Sequence, residues 1–147
     1  EANAALPELR TILESLRDER AELIRLRDEV VARREASGAP SEAGVGRAGA
    51  KREAEPAADA ASAEADAEMR VLRLRMQGVI DQMQAGVARI DELGVTLREI
   101  ETGLIDFPAL ASGRQIWLCW RLGEGDITSW HELADGFSGR RALADLT

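Results

Sequence analysis

The sequence contains no tyrosine, and aromatic residues make up only 3% of its 147 positions. The five that exist, Phe107, Trp117, Trp120, Trp130 and Phe137, all follow residue 106. Dense aromatic packing is therefore expected only in the tail. A single cysteine, Cys119, excludes an intrachain disulfide and a multi-cysteine zinc site. It fits a reducing compartment, and a cytoplasmic location is expected. His131 is the only histidine. Lysine is nearly absent, since 18 of the 19 basic residues are arginine. We read this as genomic base composition and not as a binding code. The longest apolar run, Ile116-Trp117-Leu118-Cys119-Trp120, falls far short of the roughly 20 residues that span a bilayer. No membrane partner is expected. The sequence starts at Glu1 without Met, which leaves a removed targeting segment open.

The net charge is −8, from 27 acidic and 19 basic residues. The basic groups are interleaved with acids, and no basic stripe carries interspersed aromatics, so no nucleic-acid partner is expected. There is no Walker loop, no dinucleotide glycine pattern and no serine nucleophile elbow.

Two amphipathic stretches dominate what is present. Leu6, Leu9, Leu13, Leu16, Leu23 and Val30 fall on alternating three- and four-residue steps, the a and d positions of a heptad, with Arg20 and Arg27 in the remaining a slots. They predict a first helix ending near residue 36, with Pro7 tolerated in its first turn and Asn3 as its cap. Met69, Leu72, Met76, Val79, Met83, Gly86, Ile90 and Leu93 repeat the pattern and predict a second helix over 64–93. The three methionines read as seam filler rather than a metal box. Gly86, at a d position, reads first as a tolerated gap and second as a point of close approach. Residues 37–63, rich in Ala, Gly, Pro and charge, read as a flexible linker, though their alanines allow part of the stretch to extend the flanking helices. Helices of about 30 residues, each roughly 45 Å long, joined by a reversing linker, predict an antiparallel, coiled-coil-like hairpin.

Beyond Gly94 the period changes from 3.5 to 2, and residues 94–147 read as a β-rich tail. Val95–Arg98 reads as a strand with Leu104–Phe107 as its hairpin partner, which Pro108 ends. Arg114–Arg121 is the strongest strand. Ile116, Leu118 and Trp120 alternate with Trp117 and Cys119, so both of its faces are apolar and it should be central. Ser129 followed by Glu132 is a capping box, predicting a short helix ending near Gly136. A strand over Ile127–Trp130 competes with it. The fold class is thus α+β, a two-helix hairpin plus a small antiparallel C-terminal sheet. A thin core in so long a hairpin makes a homo-oligomer or protein partner expected.

The stretches Gly103-Leu104-Ile105-Asp106-Phe107-Pro108-Ala109-Leu110, Trp117-Leu118-Cys119-Trp120-Arg121-Leu122-Gly123-Glu124, Trp130-His131-Glu132 and Gly136-Phe137-Ser138-Gly139-Arg140 resemble an uncharacterised bacterial family, the domain of unknown function 2203. The opening Glu1-Ala2-Asn3-Ala4-Ala5-Leu6-Pro7-Glu8-Leu9 is similar to that family's start, while the linker looks longer than usual. The resemblance implies a helical pair with a C-terminal β-rich segment, and no reaction or substrate.

Chemistry-bearing residues crowd the tail: the acids Asp106, Glu124 and Glu132, the arginines Arg114, Arg121 and Arg140, and Cys119 with His131. His131 with nearby Asp106, Glu124 or Glu132, or with the thiol, has the donor types for zinc or iron. His131-Glu132-Leu133-Ala134-Asp135 resembles a zincin helix only superficially, because Asp stands where the second His would be. Each residue also has a structural role open to it. Glu132 can complete the capping box, Cys119 can be an inert core thiol, and Arg140 can pair with Asp106 or Glu124. The favoured reading is a non-enzymatic interaction or structural module. The alternative is a small metal-binding protein or metal-dependent enzyme centred on His131. Asp106, Glu124, His131 and Arg140 are expected on one side of the sheet.

Overall fold

The computed structural model describes residues 1–38 and 56–146. Helix α1 runs over Ala2–Ala36 and α2 over Pro56–Glu92. Strands β1 (Thr96–Glu99), β2 (Leu104–Ala111), β3 (Arg114–Arg121), β4 (Ser129–His131) and β5 (Arg141–Ala142) follow. They form one antiparallel sheet in the order β1-β2-β3-β4-β5. The architecture is α+β. Residues 56–63, expected in the linker, are the first turns of α2. The rest of that expected linker, beyond Gly38, lies outside the described residues. Asn3 does not cap α1; it lies within the helix, and its Oδ1 accepts the Ile127 N–H at 2.8 Å.

The chain divides into two compact units, residues 1–21 with 80–147, and residues 22–79. In the first, the helices run antiparallel, since Glu8 pairs with Arg89 while Leu16 lies against Gly86. A Cβ placed on Gly86 would stand 3.1 Å from Leu16 Cδ2, so this glycine marks a close approach rather than a gap. Leu6, Leu9, Leu13 and Leu16 join Ile90, Ile105 and Trp120 in a buried core. Burying each leucine stabilises the fold by about 1.5–3 kcal/mol. In the second unit, Arg33 pairs with Glu68 and Arg75 with Glu22, again antiparallel. There Leu26, Val30 and Leu72 form a smaller core. Leu26 is buried while Arg27 is exposed, so the strict heptad fails here. A straight helix of 3.6 residues per turn drifts out of a 3.5 repeat and brings the neighbouring leucine inward.

Two expectations for the tail are corrected. Pro108 does not end β2, which continues to Ala111. β1 pairs no further along β2 than Asp106, so Pro108 lies where β2 has a strand neighbour on one side only, and proline is tolerated at such an edge. The capping-box helix at Ser129 does not form. Ser129–His131 is β4, hydrogen-bonded between β3 and β5. Pairing along β3 and burial of Trp130, opposite Leu118, outweigh a local cap that contributes about 1 kcal/mol.

Candidate metal centre

Strand alternation assembles the site. Asp106 on β2 stands directly opposite Cys119 on β3, and Cys119 stands opposite Ser129 on β4. Side chains two residues apart share a face, so Asp106, Cys119, Trp117 and His131 project together. The apolar set Ile105, Phe107, Leu118, Trp120 and Trp130 takes the other face, where Ile105, Phe107 and Trp120 join the helical core. Opposed residues on neighbouring strands lie about 5 Å apart at Cβ, and a diagonal neighbour remains within reach of a long ring.

Asp106, Cys119 and His131 are nearly closed to solvent, at 2%, 1% and 2% exposure. One donor atom from each lies within 4.8 Å of the other two. His131 Nε2 is 3.1 Å from Asp106 Oδ2, and His131 Nδ1 is 2.8 Å from the Glu132 carbonyl oxygen. A carbonyl only accepts, so the ring proton belongs on Nδ1. Neutral His131 then turns the Nε2 lone pair toward a carboxylate, a repulsive contact unless a proton or another cation lies between them. Asp106 Oδ1 is buried with no nitrogen or oxygen partner, a costly state for a carboxylate oxygen. The Cys119 thiol, a weak donor, is the other group that Asp106 engages.

Burial, followed by the negative charge of Asp106, pushes the Cys119 thiol up to about 12. The thiol is therefore protonated at neutral pH and is not an activated nucleophile. This argues against reading Cys119, His131 and Asp106 as a cysteine-hydrolase triad. A metal ion would reverse the balance, since a coordinating thiol loses its proton outright.

The remaining sequence-derived candidates lie outside this trio. Glu132 receives the Arg114 guanidinium at 2.7 Å, and this bond holds its carboxyl below the usual range. Arg140 clasps Glu124 with two hydrogen bonds of 2.8 and 2.9 Å, which lower the Glu124 carboxyl against the opposing effect of burial. Both acids are thus engaged by arginine. The Arg140–Glu124 pair flanks the trio, with Arg140 Nη2 donating to the Cys119 carbonyl at 3.5 Å.

Sequence reasoning missed Arg98. From β1 it donates Nε to Asp106 Oδ2 at 2.8 Å, and its guanidinium stands 4.9 Å from the Trp117 ring centroid. Its signal was the 95–98 to 104–107 hairpin, which brings Arg98 near Asp106 once the register is drawn. That register carries a bulge between Leu97 and Glu99, invisible to simple alternation. Above the trio lies a cleft of about 390 Å³, walled by Arg98, Leu104 and the segment from Leu133 to Phe137. No helix among the described residues is long and apolar enough to cross a membrane.

No curated protein and no solved structure matches this chain. The model of the family described as "Uncharacterized conserved protein (DUF2203)" matches residues 1–143, nearly the whole length, and the chain belongs to that family.

Proposed function

We propose that the chain binds a borderline divalent metal, of which zinc is the best fit and iron(II) the next, through Asp106, Cys119 and His131. The observation that carries this reading is the hydrogen bonding of His131. Its Nδ1 faces a backbone carbonyl and its Nε2 faces a buried carboxylate. A histidine ligand characteristically donates its other ring N–H to a carbonyl or carboxylate, which fixes the tautomer that presents a lone pair to the metal. The spacing agrees. Nitrogen and oxygen ligands about 2.0–2.1 Å from zinc lie about 3.3 Å apart at the tetrahedral angle, against 3.1 Å between Nε2 and Oδ2. One donor atom of each of the three residues lies within 4.8 Å of the other two, and a zinc–sulfur bond of about 2.3 Å would complete the set. Three protein donors leave a fourth position for water or a ligand, the arrangement of reactive rather than purely structural zinc.

Elemental analysis of the full chain purified without a histidine tag tests this. The expected result is about one metal per chain in the wild type, lost in His131→Ala and in Cys119→Ser. Substoichiometric metal that is the same in all three proteins contradicts it.

A second reading, self-association as an interaction module, draws support from Val31, Val71 and Leu74, which are 47%, 55% and 72% exposed in the unit formed by residues 22–79. Sedimentation at high micromolar concentration decides it. A dimer that Leu74→Glu dissociates supports it, and a strict monomer removes it.

A further inference from the structure

Arg98 is held at two points, through Nε to Asp106 and through its face against Trp117. Neither contact uses the terminal nitrogens Nη1 and Nη2, which have no partner among the described residues. The side chain remains 41% exposed and walls the cleft above the trio. An arginine anchored in this way presents a rigid fork, a shape that matches carboxylate and phosphate oxygens. Its position matters as much as its shape. Asp106 Oδ2 contacts both Arg98 Nε and His131 Nε2, so the guanidinium and the metal-facing nitrogen stand on two sides of a single oxygen. One oxyanion group can reach both.

A divalent ion and Arg98 bring three positive charges, and Asp106, the Cys119 thiolate and Asp135 on the cleft wall bring three negative ones, so the lining is near neutral overall. What favours an anion is therefore the local placement of the Arg98 fork beside the ion and not a net charge. Leu104, Leu133 and Phe137 line the same space, offering an apolar wall to whatever the anion carries.

We infer that the cleft takes a small organic oxyanion, a carboxylate or a phosphate ester, with one oxygen on the metal's fourth position and another on the terminal nitrogens of Arg98. The inference rests on the metal reading, so its test reads metal and anion separately. The full chain is loaded with Co²⁺, freed of excess ion, and its visible spectrum is followed during titration with butanoate and, separately, with methyl phosphate. Wild type, Arg98→Met and Arg98→Lys are compared after circular dichroism has shown them equally folded. The expected result is a saturable spectral change with at least one anion. Arg98→Met should weaken it by on the order of tenfold to a hundredfold, the effect of one charge-assisted hydrogen-bonding partner. Arg98→Lys should restore part of the loss, with the cobalt content of each protein measured and the spectral change expressed per bound cobalt. A response to butanoate alone marks a carboxylate ligand, and a response to methyl phosphate alone marks a phosphate ester. Bound cobalt with no response to either anion, or with equal affinity in Arg98→Met, overturns the inference while the metal reading stands. A wild type that binds no cobalt removes both.

Discussion

Buried ionisable groups persist when each finds a partner, and the tail solves this differently for each of its acids. Asp106 shares one oxygen between Arg98 and His131 and leaves the other with no nitrogen or oxygen partner. Glu124 is fully answered by the Arg140 fork. This contrast separates a candidate ligand from a structural ion pair, since Arg140 occupies both oxygens of Glu124 whereas Arg98 reaches only one oxygen of Asp106. Glu124 has a consequence in acid. Arg140 lowers its folded-state pKa below the ordinary value near 4.5. Its contribution to stability is therefore complete above about pH 4.5 and is lost as pH falls through the lower, folded value. In urea unfolding, Glu124→Gln should lower the midpoint at pH 7 and show less further loss between pH 5 and pH 3 than the wild type does. An equal acid loss in both proteins would show that the pair contributes nothing.

At the scale of elements, the site depends on three adjacent strands holding register, and register depends on the turns. Gly103, in the β1–β2 turn, has φ +67°, and a Cβ there would lie 2.5 Å from Leu122 Cβ. Gly103→Ala should therefore destabilise the fold by about 2–4 kcal/mol, combining left-handed backbone strain with overpacking. Thermal unfolding reads this, and a loss below about 0.5 kcal/mol, the range of neutral surface changes, would contradict it. The alternation of Trp117 and Cys119 against Ile116, Leu118 and Trp120 was legible in the sequence because the strand period is exactly two. The central place of β3 was legible because both its faces are apolar. Two features were not. Ser129 and Glu132 carry a local helix-start pattern, and only the pairing with β3 turns that segment into a strand. Arg98 is the residue within the bulge between Leu97 and Glu99, so its meeting with Asp106 follows from tertiary register and not from spacing. Glu124 and Glu132 looked like ligands because sequence counts carboxylates without seeing which arginines reach them.

For the molecule as a whole, two long helices and a five-stranded sheet give an α+β chain whose aromatic residues all lie in the tail. The heptads of α1 and α2 were readable because leucine and methionine recur at regular steps, and they locate the buried residues of the two helices apart from Leu26, which is buried in place of Arg27. One face of the sheet is committed to the core formed with the helices. The other carries Asp106, Cys119 and His131 under a cleft, so the fold keeps this polar cluster on the face turned away from the helical core. The central claim is that these three side chains ligate one metal ion. X-ray absorption at the zinc edge, on the zinc-loaded full chain, reads the ligand set directly. The account predicts one sulfur at about 2.3 Å with two or three nitrogen or oxygen neighbours at about 2.0–2.2 Å, and loss of the sulfur shell in Cys119→Ser. A first shell of nitrogen and oxygen alone in the wild type, unchanged by that substitution, would contradict it.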